Sequence, residues 1–481
     1  MITKGLDHVL CVYPYRRELN DVGFFPPLGL EFIARVIQPF SRSTEILDLR
    51  REPGRTADFL RPETEMVCFS VNWNRDQDVL RDEIHSVPPG VFTVLGGRYA
   101  TEDPQQWLED CPNVTAVVRG DGEEAMEEIC RGVPFDKIAG LSFRCDGRIV
   151  HNPNRMPGAV RDDVFPDRRL RKYAYDVTIG GAGTGLEVDL IASSRGCPFN
   201  CTFCSFSRNP WGTKRKWSAR SAESVVAELE QTRARFIGFT DDLFTYDMER
   251  VERICDLILA RGIRKKFFVN ARLEIAKRPD VLRKMEQAGF ALLMLGIESA
   301  HDRTLQSMQK GFDTAKIREY FKVLGDSRML LHGYFILGNI GESRQDIQQI
   351  LPFARELGLD TIALSTLRVS PHSGLDELVA ASPGYHVDPT GKIFSDECSV
   401  EDLRDLRRQL NRKFYNMPQL LRIFRKSLQN GWARFLPGLL PRLPGISWHV
   451  ATHLRKRAKH HARRRAGAGR PAAGSPSPVT R

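Results

Sequence analysis

Residues 195–205 read Arg195-Gly196-Cys197-Pro198-Phe199-Asn200-Cys201-Thr202-Phe203-Cys204-Ser205. Three cysteines at C-x3-C-x2-C spacing indicate a soft-metal site, because thiolate ligands select such metals. A structural zinc ion and an iron–sulfur cube both normally take four protein ligands. No fourth ligand follows at zinc spacing, since the next cysteine is Cys255 and the next histidine is His301. Three thiolates would leave one iron of a cube open. A zinc site and buried cysteines without a metal remain alternatives.

The chain around and after these cysteines alternates predicted strands with predicted helices. The strands are Glu187–Ser193, Arg235–Thr240, Lys266–Asn270, Ala291–Ile297, Leu331–Leu337 and Thr361–Leu367, with helices near 218–233, 247–261, 279–288, 301–326 and 343–357. Six β/α repeats in a row predict a partial (β/α)6 TIM-type barrel over residues 186–385. In that architecture the functional residues lie at the carboxyl ends of the strands.

The chain before the cysteines has an α/β pattern of its own. Its predicted strands are His8–Pro14, Ile46–Leu49, Met66–Val71, Phe92–Leu95 and Thr115–Val118. Helices between them predict a doubly wound parallel sheet, a Rossmann-like domain over residues 7–135, with a linker at 136–185 that includes a hairpin around Asp146 and Gly147. Ligands bind such sheets outside the carboxyl ends of the strands. The fingerprint G-x-G-x-x-G is absent after the first strand, which argues against a nicotinamide cofactor.

The cysteine motif, with Phe203 before its last cysteine, resembles the radical SAM superfamily. In that family the three cysteines, here Cys197, Cys201 and Cys204, hold a [4Fe-4S] cluster whose open iron binds S-adenosylmethionine (SAM). Reductive cleavage of SAM then yields a 5′-deoxyadenosyl radical. The resemblance implies SAM-binding residues at the motif and at later strand ends, namely Phe203, Asp241, Asp242, Asn270, Arg272, Glu298 and Gly338. Either aspartate could instead cap a helix, and Arg272 could be a structural salt-bridge partner.

The N-terminal half resembles the cobalamin-binding domain of the methylase-rich class of the same superfamily. Matching pieces are P-P-L-G-L at 26–30, L-G-G-R-Y-A-T at 95–101 and R-G-D-G-E-E at 119–124. The resemblance implies cobalamin contacts from Tyr13, Pro27, Leu28, Asn72, Trp73, Gly96, Gly97, Arg98, Tyr99, Gly120, Gly122 and Glu123. The motif D-x-H-x-x-G is absent, so we expect no protein histidine on the cobalt. Trp73 is expected as an apolar cover of the lower face, with packing in the core as the alternative.

The two cofactors together imply a B12-dependent radical SAM methyltransferase. The resemblance implies that a methyl group passes from SAM through methylcobalamin to an unactivated carbon of a lipid or another secondary metabolite. The hopanoid C-3 methylases are the suggested relatives. Radical abstraction of hydrogen demands no particular acid or base from the chain. Cyclisation or oxidation of a natural product or a tetrapyrrole is the alternative. An external electron donor of the flavodoxin or ferredoxin type is expected as a partner.

The net charge of +11 belongs to the C-terminal tail. Residues 454–481 carry nine Lys or Arg and no acid, which leaves 62 basic and 60 acidic residues elsewhere. We therefore expect a helical extension at 386–453 followed by a basic, disordered tail. The segment 432–453 and this tail suggest peripheral contact with an anionic membrane, and a capping helix pair with a solvated tail is the alternative.

Nucleic-acid binding through the tail is a further alternative, of another function class. The nearly neutral body argues against it, because nucleic-acid binding depends on clustered positive charge. The other seven cysteines are scattered singly, and no signal peptide is recognised, so we expect a reducing, cytoplasmic location.

Overall fold

The computed structural model describes residues 5–16, 25–74, 76–179, 182–205, 208–209, 211–369, 372–435, 438, 440–445 and 447. The predicted basic tail, residues 454–481, lies outside them, as does most of 446–453. Two large sheets organise the described part of the chain.

The first sheet has seven strands in the order β2-β1-β3-β4-β5-β6-β7. The strands are β1 (Leu6–Tyr13), β2 (Ser41–Asp48), β3 (Thr64–Ser70), β4 (Phe92–Gly96), β5 (Ala116–Val118), β6 (Leu141–Cys145) and β7 (Arg148–His151). The helices are α1 (Leu28–Ile37), α2 (Gln77–His85), α3 (Arg98–Glu102), α4 (Pro104–Asp110) and α5 (Glu123–Cys130). The first five strands are parallel, which confirms the predicted doubly wound sheet. Buried apolar runs such as Val9–Val12 suit strands covered on both faces.

One boundary differs from the sequence prediction. The hairpin around Asp146 and Gly147 forms as β6 and β7, but β6 pairs antiparallel with β5. The first sheet therefore extends beyond residue 135 into the predicted linker.

The second sheet curls into an open partial barrel in the order β16-β15-β14-β13-β12-β9-β8. Its strands are β8 (Asp176–Ile179), β9 (Ala182–Ile191), β12 (Phe236–Phe239), β13 (Lys266–Ala271), β14 (Phe290–Glu298), β15 (Leu330–Leu337) and β16 (Thr361–Thr366). All six predicted strands are present and parallel, and β8 adds an antiparallel edge. A short antiparallel pair is formed by β10 (Ser194–Arg195) and β11 (Ser218–Ala219). It brings together the two ends of the part of the chain that contains the three cysteines, which is called the cysteine segment below.

Helices α6 (Ala222–Gln231), α7 (Met248–Ala260), α8 (Pro279–Ala288), α9 (Asp302–Ser307), α10 (Thr314–Leu324) and α11 (Arg344–Glu356) cover the barrel. The single helix predicted over 301–326 is wrong, because α9 and α10 are separate. Gln309 and Gly311, between them, have φ values of +55° and +78°, which no continuous α-helix contains. This break matters for the site because the cysteine segment docks on it.

Buried arginines of the segment between the two sheets fix the sheets to each other. Arg171 donates to both carboxylate oxygens of Glu31 in α1, at 2.5 and 2.6 Å, and to those of Asp189 in β9, at 2.8 and 2.9 Å. Arg168 donates to Asp189 at 3.2 Å and is paired with Glu228 of α6 at 2.5 Å. Burial raises the pKa of Glu31, and Arg171 opposes that rise. This segment is therefore an ordered electrostatic bridge.

The C-terminal elements are α12 (Leu375–Ala380), β17 (Tyr385–Val387), β18 (Ile393–Ser395), α13 (Val400–Phe414) and α14 (Met417–Gln429). Leu403, Leu406, Leu410 and Phe414 of α13 pack into the barrel core. Trp432 and Phe435 pack against Phe236 of β12, with ring centroids 5.1 and 4.7 Å away. These two aromatic residues therefore belong to a core cluster rather than to an exposed membrane surface. Among the described helices, none has the length and apolarity needed to cross a bilayer.

Candidate functional site at the junction of the two sheets

The cysteine segment lies across the carboxyl ends of the barrel strands. It follows β9, and the backbone N–H of Thr202 donates to the carbonyl of Met308 at 3.2 Å, in the break between α9 and α10. Phe203 packs against a cluster of residues that follow β16, namely Leu367, Leu375, Val379 and Ile393. The segment is therefore held between the first strand, the break after α9 and the residues that follow β16.

The three cysteines are half-buried, and burial raises the pKa of the Cys197 thiol. Within the described ranges, no three His, Cys, Asp or Glu side chains converge as ligands of a single metal ion. A zinc ion needs its thiolates about 2.3 Å from one point. An iron–sulfur cube instead takes each thiolate on a different iron. Three half-buried thiolates within eight residues are a donor set that a [4Fe-4S] cluster can use.

Asp241 points into the protein interior. It is fully buried, and its carboxylate accepts hydrogen bonds from Ser193 N at 2.8 Å, Ser193 Oγ at 2.6 Å and Ser194 Oγ at 2.5 Å. Burial raises its pKa, which these hydrogen bonds oppose. The predicted SAM contact is therefore corrected to a positioning role, in which Asp241 ties the end of β9 to the end of β12.

Asp242 and Asn270 also position neighbouring backbone. Asp242 Oδ2 accepts from Gly196 N at 2.8 Å, directly before Cys197, and burial raises the pKa of this carboxyl group. Asn270 Nδ2 donates to the carbonyl of Asp241 at 3.1 Å. Neither aspartate caps the following helix, since Asp247 is the N-cap of α7. Asp242 remains at the cavity described below, whereas Asn270 is used to hold the strand ends together.

Two basic residues, Arg272 and Lys310, lie beside the cysteine segment. Glu298, at the end of β14, has a φ of +72° and an ion pair with the buried Lys310 at 3.1 Å. Arg272 donates to the carbonyl of Lys310 at 2.7 Å and pairs with Glu274. The Arg272 guanidinium lies 3.6 Å from the ring centroid of Phe199, within the cysteine motif. The salt-bridge alternative for Arg272 is thus observed, together with a cation–π contact that holds the segment.

The turn after β15 depends on a residue absent from the predicted site. Glu342 Oε2 accepts from Gly338 N at 2.9 Å and from Asn339 N at 3.1 Å, while Oε1 is buried without a partner among the described residues. Burial raises the pKa of Glu342 to about 7. The G-x-x-x-E spacing of residues 338–342 is the sequence signal that could have indicated this role.

A cavity of about 560 Å³ lies between the two sheets. Eight of the predicted cobalamin residues line it, namely Leu28, Asn72, Gly96, Gly97, Arg98, Gly120, Gly122 and Glu123. The barrel contributes Arg195, Ser205, Arg215 and Asp242, among others. Since Ser205 directly follows Cys204, the cavity reaches from the strand ends of the first sheet to the cysteine segment.

Four predicted cobalamin residues do not line this cavity. Tyr13 is buried beneath the Arg50 guanidinium, and Pro27 precedes α1. Tyr99 packs edge-on against Trp107. Trp73 is 50% exposed, so the alternative that places it in the core is wrong. The cobalamin contacts of these four residues stay predictions.

Two glycines in the cavity wall are required by their backbone conformation and by close contacts with neighbouring residues. Gly97 has a φ of +103°, and a Cβ there would lie 2.6 Å from Asn72 Oδ1. Gly120 has a φ of +80°, and a Cβ there would lie 2.8 Å from the indole of Trp211. Both conformations require glycine. The cavity volume is within the range of small-molecule sites, and glycines in its wall let a flat ligand approach the backbone closely.

Ion pairs connect this cavity wall to the cysteine segment. Arg195, two residues before Cys197, pairs with Glu123, and Arg215 donates to Asp121 at 3.2 Å. The Arg195 guanidinium also lies 5.2 Å from the ring centroid of Phe32. Glu123 was predicted as a cobalamin contact, and its carboxylate is engaged by Arg195. No local sequence pattern identifies the pair of Asp121 and Arg215, because the two residues lie far apart in the chain.

Sequence models of two known domains match the chain. The B12 binding domain matches residues 20–130, and the Radical SAM superfamily matches residues 191–354. The chain therefore contains a B12-binding domain followed by a radical SAM domain. The two matches lie on the two sheets whose strand ends border the cavity, which confirms the expected classes of cofactor.

Named relatives cover much of the chain. An uncharacterized methyltransferase of Pyrococcus horikoshii is 26% identical over 433 residues, or 84% of this chain and 91% of that protein. The hopanoid C-3 methylase of Methylococcus capsulatus is 26% identical over 328 residues, or 64% of this chain and 60% of that protein. An anaerobic magnesium-protoporphyrin IX monomethyl ester cyclase of Cereibacter sphaeroides is 28% identical over 280 residues, or 55% of this chain and 44% of that protein.

A solved structure shows the same architecture. The radical SAM methyltransferase TsrM from Kitasatospora setae, with cobalamin and a [4Fe-4S] cluster bound, is 16% identical, with a TM-score of 0.65 over 83% of this chain and 88% of that chain. At that identity the likeness establishes the fold, and it confirms the predicted pair of α/β domains. The two domain matches and the named methyltransferases confirm the expected enzyme class, a B12-dependent radical SAM methyltransferase.

Proposed function

We propose that this radical SAM enzyme transfers a methyl group from SAM to an unactivated carbon. One observation carries the proposal, namely the single cavity bordered both by Gly97 and Gly120 of the B12-binding domain and by Ser205 beside the cluster cysteines. A methyl carrier and a radical source held in one space can act on one substrate carbon. When bound, the cluster supplies an electron for SAM cleavage, and the cobalt supplies the methyl group.

The chain's own residues position these groups. The three cysteine thiolates hold the cluster, and Asp242 fixes the backbone at Gly196 in front of the first of them. Arg195 and Arg215 attach the same segment to the B12-binding domain through Glu123 and Asp121. No proton transfer is asked of these residues, because hydrogen-atom abstraction needs none.

Labelled SAM tests the proposal. The full chain is loaded anaerobically with iron, sulfide and hydroxocobalamin, then incubated with a cell extract, a strong reductant and SAM that carries a deuterated methyl group. Methyl transfer predicts 5′-deoxyadenosine and S-adenosylhomocysteine in equal amounts, with the label in a new product. Absence of 5′-deoxyadenosine would reject radical chemistry altogether.

Cyclisation is the second candidate, favoured by the match to the magnesium-protoporphyrin cyclase. Both candidates begin with the same radical, so they differ in the fate of the methyl group. A cyclase would form 5′-deoxyadenosine but place no deuterated methyl group in the product. That result would replace methyl transfer by cyclisation or oxidation.

The substrate and partners proposed from the sequence are a small molecule or a lipid, and a flavodoxin- or ferredoxin-like electron donor. The match to hopanoid C-3 methylase supports a lipid. A cytoplasmic location fits an oxygen-sensitive cluster, because thiols stay reduced there. Nucleic acid is not proposed as a partner.

We further propose peripheral contact with an anionic membrane, through α14 rather than through the segment that begins at Trp432. Met417, Leu420, Leu421, Phe424 and Leu428 lie on one face of α14 and are all exposed, Leu421 at 61% and Phe424 at 54%. Residues 406–481 contain 18 Lys or Arg and no Asp or Glu. An exposed apolar helix face beside such positive charge is typical of helices that lie in the headgroup region.

The opposite face of α14 is anchored to the barrel. Lys426 pairs with Asp360 at 2.7 Å and Arg422 pairs with it at 3.2 Å. Asp360 immediately precedes β16, so α14 lies at the amino ends of the strands. The proposed membrane face is therefore on the opposite edge of the barrel from the cysteine segment, which suits attachment of the enzyme to a membrane.

Sedimentation with vesicles tests this surface. We expect wild-type protein to bind vesicles of phosphatidylcholine with phosphatidylglycerol, and a Leu421→Glu/Phe424→Glu variant to lose most of that binding. Leu259→Glu, at an exposed leucine of α7, is the matched control and should bind normally. If the α14 variant binds as well as wild type while deletion of residues 446–481 abolishes binding, the tail is the contact and α14 is not. Binding of RNA but not of vesicles would reject the proposed membrane contact.

A further inference from the structure

The chain that follows the cysteines returns to the cavity as a tight turn. Arg208 and Lys214 form a β-bridge, and Asn209 N donates to the carbonyl of Thr213 at 2.9 Å. Inside the turn, Thr213 N donates to Asn209 Oδ1 at 2.8 Å. Trp211 at its tip rests against Gly120 of the B12-binding domain. These contacts place Asn209 at the wall of the cavity, opposite the strand ends of the first sheet.

Asn209 carries a donor without a partner. Its side chain is buried, with the residue only 6% exposed, and Oδ1 is used by Thr213, yet Nδ2 has no hydrogen-bond partner among the described residues. Leaving a buried amide donor unsatisfied is costly, and native structures contain few such groups. Asn209 is among the residues that line the cavity, so a ligand that fills the cavity can bring an acceptor to this donor.

We propose that Asn209 Nδ2 donates a hydrogen bond to an amide carbonyl oxygen at the rim of bound cobalamin. The corrin ring carries amide side chains around its edge, so it offers neutral acceptors in every direction. Asn209 lies on the same turn as Trp211, which touches Gly120 at the end of β5. The donor therefore sits where the barrel meets the B12-binding domain. This inference rests on the proposed function, since it requires cobalamin in this cavity.

Residues 195–215 then have two roles, since they bind both the cluster and cobalamin. The residues that hold the cluster and a residue that holds cobalamin then belong to one short stretch, fixed at Arg195 and Arg215 by ion pairs to the first domain. The cost of burying Nδ2 is already present in the cobalamin-free protein. The hydrogen bond to the ligand is consequently gained without loss of a bond to water.

Titration of the cobalamin-free full chain with hydroxocobalamin tests the donor. Asn209→Asp keeps Oδ1 for Thr213 and removes the amide donor, and we expect the dissociation constant to rise by about tenfold. Asn209→Ala should weaken binding to a similar extent. Asn416→Asp makes the same change in charge at the N-cap of α14 and should leave the affinity unchanged.

The melting temperature of the cobalamin-free chain provides a second measurement. A purely structural asparagine would lower the melting temperature of both Asn209 variants and leave the affinity of the folded fraction intact, which would overturn the proposal. Wild-type affinity in both variants would overturn it as well. If the wild-type chain itself fails to bind hydroxocobalamin, the proposed function fails, which is a separate result.

Discussion

Replacement of Cys197, Cys201 and Cys204 by alanine is expected to remove the iron, the sulfide and the visible absorption of the cluster, and to reduce 5′-deoxyadenosine formation to background. The physical reason is that no other nearby side chain can replace the three cysteine thiolates as ligands of the iron. The segment offers three thiolates, and no fourth cysteine or histidine follows at metal-binding spacing. Iron and sulfide assays on the reconstituted variant and on wild type measure the effect.

Two controls separate this result from misfolding. The single variant Cys255→Ala changes a buried thiol in α7, within the barrel core, and should keep the full complement of iron. The triple variant should still bind hydroxocobalamin, because the first sheet and most of the cavity wall are untouched. A triple variant with wild-type iron content would contradict the assignment of the cluster to this segment.

The strands could be predicted because their sequence signal is local. Runs such as Val9–Val12 and Leu293–Ile297 are apolar and bounded by turn residues, and the structure places them in the two sheets as expected. The break between α9 and α10 was missed because Gln309 and Gly311 interrupt a periodicity that otherwise continues. The cysteine motif was recognisable for the same reason, since its spacing carries the chemistry.

Which polar residues at the strand ends border the cavity, and which make only structural hydrogen bonds, could not be predicted from the sequence. Asp241 and Asp242 are adjacent in sequence, yet the first is sealed by Ser193 and Ser194 and the second borders the cavity. Both residues follow β12, which ends at Phe239, and no periodic pattern there indicates which way each side chain points. The resemblance implies cobalamin contacts from Tyr13 of β1 and Tyr99 of α3, and both side chains pack within the first domain.

Contacts between residues far apart in the chain are the other part of the structure that could not be predicted from the sequence. The sequence of residues 136–185 is rich in Arg and Asp and has no usable period, which is typical of a linker. Arg171 nevertheless meets Glu31, 140 residues away, and Asp189. Nothing local to residue 171 identifies either partner, so the electrostatic bridge between the domains became visible only in three dimensions.

Arg171→Met is expected to destabilise the chain by about 3–5 kcal/mol, because it leaves Glu31 without its cation and removes one of the two arginines that pair with Asp189. Both carboxylates are buried, so water cannot replace the guanidinium. The shift in the midpoint of denaturant unfolding measures the loss. Arg169→Met is the matched control, two residues away, because Arg169 is exposed and pairs only at the surface with Asp167. It should leave the midpoint of denaturant unfolding almost unchanged.

The loss in the free energy of unfolding caused by Arg171→Met is called the deficit here. Its dependence on pH identifies its cause. Burial raises the pKa of Glu31, and Arg171 is the first of the groups that oppose this rise. Without Arg171 the folded state binds a proton at Glu31 more readily than the unfolded state does. The deficit should therefore shrink as the pH falls through the raised pKa, and reach its full size above it. Adding Glu31→Gln should recover part of the loss at neutral pH, because a neutral amide needs no buried cation. A deficit equal to that of Arg169→Met, or one independent of pH, would show that the bridge does not hold the two domains together.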